Sequence, residues 1–153
     1  MICRVKPYGE LTRDELYAIL RLRVAVFVVE QNCPYMELDD RDQAAVHVWL
    51  EDQDGIAAYL RVMDTGAGNG RASIGRVIAA RRRQGLGSRA LREGIRVARE
   101  TFGARQIDLE AQAYAKAFYE RQGFRQVSNV FVEDGIPHIR MLLNAEKPEG
   151  AEG

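Results

Sequence analysis

An α/β (α+β) domain with a mixed sheet is the fold class this sequence predicts, on three observations. Stretches of strand period alternate with stretches of helical period along the chain. Hairpin turn signals stand towards both ends, at Asp52-Gln53-Asp54-Gly55 and at Glu133-Asp134-Gly135. Between them, Ile74 to Leu91 runs from an apolar strand through a basic turn into a helix. A chain of 153 residues is long enough for one domain with its own core. That domain is assigned to residues 1–145, and the polar tail 146–153 is expected to be disordered.

The elements follow in order. Residues 2–6 suit a short first strand. Thr12 then has the place of a helix N-cap, Glu15 that of its capping-box partner, and Leu11 and Leu16 that of a hydrophobic staple. Leu16, Ile19, Leu20, Val24, Phe27 and Val28 recur at helical spacing and predict the buried face. The β-branched run 24–29 opposes helix on propensity, but the spacing continues through it. Residues 30–42 read as a loop or a short second helix. Residues 46–50 alternate as a strand, and 56–63 return as its hairpin partner. The glycines of 64–70 mark a loop, and 72–79 form the strand that feeds the central turn.

A long helix is predicted over 85–102. Leu86, Ala90, Leu91, Ile95, Ala98 and Phe102 share one face, and Arg89, Arg92, Arg96 and Arg99 another. Gly103 stops it. Residues 106–112 form a strand and 114–122 a short helix ended by Gly123. Residues 124–132 and 136–143 pair as a closing hairpin.

Composition narrows the function classes. Lysine plus arginine and aspartate plus glutamate both number 22, so there is no basic excess for nucleic acid. The arginine row on the long helix is accordingly read as solvent-facing. No apolar run reaches the length of a membrane span, and no signal-peptide core opens the chain. Cys3 and Cys33 are too few for a disulfide framework. The expectation is a cytoplasmic protein, monomeric or homodimeric, with no nucleic-acid or membrane partner. His47 and His138 stand alone, without metal-ligand spacing, so no metal is expected.

The central turn carries the chemistry. Arg82, Gly85 and Gly87 give the order Arg-x-x-Gly-x-Gly at a helix start. Glycine lacks a Cβ, so backbone N–H groups can approach a ligand closely. The first N–H groups of a helix have no internal partners and carry partial positive charge. Such a turn suits a phosphate or pyrophosphate. It can also be a plain strand-to-helix turn among solvated arginines. A nucleotide-phosphate enzyme is disfavoured, because no Gly-x-x-x-x-Gly-Lys-Ser/Thr loop is present and no lysine lies near the glycines.

This turn resembles the acetyl-CoA loop of the GNAT N-acetyltransferases. A second similar block follows at Ala117-Phe118-Tyr119-Glu120-Arg121-Gln122-Gly123-Phe124. Residues 23–35, Ala111-Gln112-Ala113 and residues 133–139 resemble the ElaA branch of that superfamily. The resemblance spans roughly residues 4 to 143. It implies a twisted sheet whose two central parallel strands splay apart to admit the cofactor. It implies an acetyl-CoA-dependent N-acetyltransferase acting on a primary amine of a small molecule, peptide or protein. The other open reading is an acyl-CoA-binding module of the same shape that senses or binds a partner without catalysing.

By resemblance, Val77, Ile78 and Ala79 would pair with the pantetheine arm. Backbone groups of Arg83, Gln84, Gly85, Leu86, Gly87, Ser88 and Arg89 would hold the pyrophosphate, with charge added by Arg82 and Arg83. Phe118 would also border the cofactor. Tyr119 matches the tyrosine that protonates the leaving thiolate. For the general base, Glu110 comes first, on a strand face shared with Asp108 and Gln112. His138 and Glu30 come next, and water is a further alternative. The acidic residues of 30–42, Glu30 and Glu37 among them, read either as a solvated loop or as a rim that draws in a cationic, polyamine-like or lysine-like acceptor. The chain departs from the pattern it resembles in a turn before Arg82 about two residues short, and in Tyr114 where ElaA-like chains commonly carry histidine.

Overall fold

The computed structural model describes residues 1–66, 68–81 and 84–145. Arg82, Arg83 and the tail 146–153 lie outside the described residues, so the expectations attached to them do too. In chain order come β1 (Ile2–Pro7), α1 (Arg13–Val24), β2 (Val46–Asp52), β3 (Gly55–Asp64), β4 (Arg71–Ala79), α2 (Leu86–Phe102), β5 (Gln106–Gln112), α3 (Lys116–Glu120), β6 (Arg125–Gln126), β7 (Phe131–Glu133) and β8 (Ile136–Asn144). The sheet order is β1-β2-β3-β4-β5-β8-β6, with β7 also on β8. β4 and β5 are parallel, as a strand–helix–strand crossover through α2 requires. The other pairs are antiparallel. The mixed sheet predicted from the alternation of elements is therefore present.

Strand alternation sorts side chains onto two faces. On one, Val48, Leu50, Leu60, Val62, Ile74, Ile107, Leu109 and Met141 join Leu91, Ile95 and Ala98 of α2 in the main core. On the other, Trp49, Tyr59 and Ile78 pack against Ile19 of α1, with Leu22, Val26 and Phe27 alongside. Helix α2 comes so close that a Cβ on Gly94 would sit 2.8 Å from a Leu60 methyl.

The start of α1 forms as its sequence predicts. Glu15 N donates to Thr12 Oγ1 at 3.1 Å, and Thr12 N donates to Glu15 Oε1 at 2.9 Å. Thr12→Ala should cost about 1 kcal/mol in a urea melt, the usual worth of such a cap. A loss below about 0.3 kcal/mol would show that Glu15 and Lys6, joined at 2.9 Å, hold this end without it.

Three expectations need correction. First, α1 buries Ile19 and Arg23, with Leu22 and, in the turn that follows, Val26 and Phe27 half-buried beside Ile19, whereas Val24 is 37% exposed. The rest of the expected face holds, with Ile19 buried and Leu16, Leu20, Phe27 and Val28 half-buried; at Val24 it fails because Arg23 takes the buried place beside it. Second, the helix past Val24 widens into a π-helical turn, Ala25–Glu30, with Gln31 N bonded to Val26 O and Cys33 N to Val28 O. Third, the strand expected over 124–132 is two short pieces. Ser128 interrupts it, and its Oγ accepts from Arg140 N in the ladder at 2.9 Å. The hairpin turn itself is as predicted, with Asp134 and Gly135 at φ 51° and 76°.

Candidate active site

Two central strands part company. β4 and β5 pair only where Arg71, Ala72 and Ser73 face Gln106, Ile107 and Asp108. Beyond that, β4 continues to Ala79 and β5 to Gln112 without pairing with each other. A bulge in β4 accompanies the split: Arg61 opposes Gly75 and Tyr59 opposes Ile78, so Arg76 and Val77 together oppose Leu60. A bulge bends its strand and raises local twist. It also shifts the alternation, so Ile74 and Val77 both face the main core while Ile78 faces the α1 side. Val77 and Ile78 are thus anchored by their side chains. The β5-facing backbone edge of residues 76–79 has no strand against it among the described residues.

The turn into α2 follows at once. Arg81, just past β4, donates to both carboxylate oxygens of Asp52, one of them at 2.6 Å from Nη2. Gly85, the N-cap, sits at φ 69°, where other residues are strained. Among the described residues no side chain caps this helix, and its first turn has no acidic residue. The first helical bond runs from Arg89 N to Gly85 O at 3.1 Å. Among the described residues the N–H groups of Leu86, Gly87 and Ser88 have no acceptor, whereas that of Arg89 is committed. Gly87 has a different reason from Gly85. It is buried, and a Cβ there would meet Ala79 at 3.2 Å and the Phe118 ring at 3.4 Å. Its small size lets α2 close onto β4 and α3. Gln84 is exposed beside this turn.

Tyr119 belongs to the α2 side of the sheet and is 8% exposed. Its ring meets Phe118 edge-on at 5.0 Å and Phe124 at 6.1 Å. Burial, with Tyr114 nearby, holds its phenol well above the usual range, so it stays protonated. Glu110 and His138 lie on the opposite face, because their strand neighbours Leu109, Ala111 and Ile139 point into the main core. Desolvation first, then hydrogen bonding to and repulsion from Glu133, raise the Glu110 carboxyl above its ordinary value. His138 Nδ1 lies 2.7 Å from the Ile136 carbonyl and so donates to it, which leaves Nε2 as the basic nitrogen. The ring stacks on Phe131 at 6.0 Å. The candidate acid and the two candidate bases, which stand on β5 and β8, thus lie on opposite faces of the sheet.

The loop after α1 borders the same opening. Gln112 Nε2 donates to Gln31 Oε1 at 3.2 Å, and Cys33 Sγ to the Asp134 carbonyl at 3.5 Å. The acidic rim expected here takes another form. Glu37 is 3% exposed, and its carboxylate accepts from Arg23 Nε at 2.6 Å, from Arg23 Nη2 at 3.0 Å and from Arg76 Nε at 2.9 Å. Asp42 accepts from Arg23 Nη1 at 2.6 Å and from Arg61 Nη1 at 3.0 Å. Asp39 accepts from Arg61 Nη1 at 2.8 Å and Nη2 at 2.5 Å. These three carboxylates are neutralised by three arginines and cannot act as a free rim for an amine. Glu30 is exposed at the end of the π-helical turn, outside this cluster.

Tyr59 and His47 complete the network. His47 Nε2 is 3.0 Å from the Asp42 carbonyl and must donate to it, so Nδ1 accepts from the Tyr59 hydroxyl at 2.7 Å. Burial lowers the His47 pKa, in keeping with this neutral tautomer. The one signal for the network in the sequence was charge inside apolar periodicity: Arg23 in a helix face, and Arg61 and Arg76 within strands.

Comparison with known proteins agrees with this geometry. The Acetyltransferase (GNAT) domain family matches residues 14–145. A UPF0039 protein of Mycobacterium tuberculosis is 43% identical over 139 residues, covering 87% of this chain and 86% of that protein. Protein ElaA of Escherichia coli is 37% identical over 138 residues, covering 88% of this chain and 90% of ElaA. The crystal structure of an acyl-CoA N-acyltransferase from Pseudomonas aeruginosa superimposes with a TM-score of 0.86 at 38% identity, covering 94% of this chain and 99% of that one. The parted strands, the uncapped helix and these likenesses lead to one assignment: the chain belongs to the GNAT acetyltransferase family, with ElaA among its homologues.

Proposed function

We propose that this protein is an acetyl-CoA-dependent N-acetyltransferase acting on a primary amine. The observation that carries the reading is the opening between β4 and β5, which leads directly to the uncapped N-terminus of α2. The free backbone edge of Val77, Ile78 and Ala79 would pair with the amides of the pantetheine arm as an added strand does. The N–H groups of Leu86, Gly87 and Ser88 would hold the pyrophosphate, supported by the helix dipole. Gln84 and Phe118 border this path.

The reaction needs three things of the protein. A backbone N–H near the β4 bulge polarises the thioester oxygen. The amine nitrogen then bonds to the carbonyl carbon as the carbon–sulfur bond breaks. Tyr119 gives the sulfur its proton from the α2 side, while the amine proton leaves to Glu110, His138 or water on the α1 side. A phenol held protonated by burial is ready as the donor across the working pH range.

Acetyl-CoA at about 100 times its Kd should stabilise the fold by roughly 2.7 kcal/mol, read as a rise in Tm. Gly85→Val should remove most of that rise, because valine at φ 69° forces the turn to rebuild. Gly85 suits this test better than Gly87, since an added Cβ at Gly85 meets nothing within 4 Å. An undiminished rise in the variant would place the ligand elsewhere.

The base is tested by pH. If Glu110 takes the proton, the rate climbs with pH as its raised carboxyl ionises. Glu133→Gln removes the repelling neighbour, lowers the Glu110 pKa and moves that climb to lower pH. Glu110→Gln abolishes it. A climb that survives in Glu110→Gln assigns the proton to His138 or water.

A further inference from the structure

We infer that Arg76 is a positioning residue that bolts the acceptor-side loop, residues 31–42, to the bulge of β4. The inference rests on the acetyl-transfer reading for its functional meaning, while the tether itself is tested separately below. Arg76 adopts φ 55°, a left-handed conformation that L residues with a Cβ disfavour. Glycine would fit that backbone best, so the arginine must be held by its side chain. The bulge turns it to the α1 side, onto the loop. Nε donates to Glu37 Oε1 at 2.9 Å, and Nη2 donates to the Glu37 carbonyl at 2.9 Å and to Asp39 Oδ2 at 3.4 Å. The guanidinium also lies 5.9 Å from the centre of the Tyr35 ring.

The loop residues it grips are themselves fixed. Arg23 of α1 forks onto Glu37, and Arg61 of β3 forks onto Asp39. Further back, the same loop touches β5 through Gln31 and the β7–β8 turn through Cys33. Arg76 immediately precedes Val77, Ile78 and Ala79. One side chain therefore joins the backbone proposed to hold the thioester arm to the wall proposed to receive the acceptor. Because the grip uses both a carboxylate and a carbonyl through a planar fork, lysine cannot reproduce it.

Amide hydrogen exchange tests the tether on the full chain, as wild type, Arg76→Gly and Arg76→Lys. Glycine accepts the bulge conformation without strain, so this variant keeps the strand. Without ligand, exchange at residues 35–39 should speed by about tenfold in both variants, the effect of losing a few local hydrogen bonds. With acetyl-CoA, wild type should gain protection at 77–79 and at 35–39 together, whereas the variants gain it at 77–79 only. A uniform loss of stability would not break that link selectively. Unchanged exchange at 35–39 in ligand-free Arg76→Gly, or equal transmission of protection in Arg76→Gly and wild type, overturns the inference. If acetyl-CoA leaves 77–79 unaffected in wild type, the acetyl-transfer reading fails, and the ligand-free comparison still decides the tether.

Discussion

Tyr119→Phe should slow acetyl transfer by about 10² to 10⁴-fold, the usual worth of a positioned proton donor, with acetyl-CoA affinity nearly unchanged. The ring is packed edge-on between Phe118 and Phe124, and phenylalanine keeps those contacts. Among the described residues the Tyr119 hydroxyl makes no hydrogen bond, so its loss leaves no buried partner stranded. The variant should therefore melt close to wild type. Single-turnover rates and a separate binding titration check the split. An equal loss in affinity would turn Tyr119 into a binding residue, and an unchanged rate would mean that water protonates the thiolate.

Arg23→Ala should destabilise the fold by about 3–5 kcal/mol, because it strands buried carboxylates. Arg23 is fully buried, and it donates to Glu37, Asp42 and, at 3.5 Å, to the Tyr59 hydroxyl. Alanine would leave Glu37 with Arg76 and Asp42 with Arg61, each short of a donor. Exposed Arg96 on α2 is the control. It also pairs with two carboxylates, Glu93 and Glu100, yet Arg96→Ala should change stability by no more than about 0.5 kcal/mol. Urea melts of the two variants measure the contrast, and similar losses would show that the buried network relaxes around its missing member.

The same network predicts an acid limit. Burial pushes the carboxyls of Asp39 and Asp42 up, but the hydrogen bonds and charge of their arginines outweigh it and hold both below the ordinary value. Groups depressed in this way contribute stability that is complete above the unfolded carboxylate pKa, about 4. That stability falls away as the pH drops through the depressed folded values.

Much of this architecture could be read from local signals. The Thr12/Glu15 cap, the Asp134-Gly135 turn and the Gly103 stop each depend on a few adjacent residues, and each forms as its sequence implies. The glycine turn before α2 was legible for the same reason, although Gly85 and Gly87 proved to answer different needs. What escaped depends on contacts distant along the chain. Arg23 meets Glu37 and Asp42, and Arg76 meets Glu37 and Asp39 across 39 and 37 positions. Periodicity treats an arginine as surface, so it could neither place Arg23 in the α1 face nor foresee that the acidic loop would be neutralised from beneath. The β4 bulge was invisible as well, because nothing in Gly75-Arg76-Val77 alone demands a positive φ at the arginine.

The most direct test of the central claim is free-thiol release from acetyl-CoA by the purified protein, across a panel of primary amines, with each acetylated amine quantified. The account predicts amine-dependent release, one thiol per acetylated amine, strongly reduced in Tyr119→Phe. Saturable binding of acetyl-CoA with no thiol release above the amine-free rate for any member of a broad panel would contradict it, and would favour an acyl-CoA-binding module that does not catalyse.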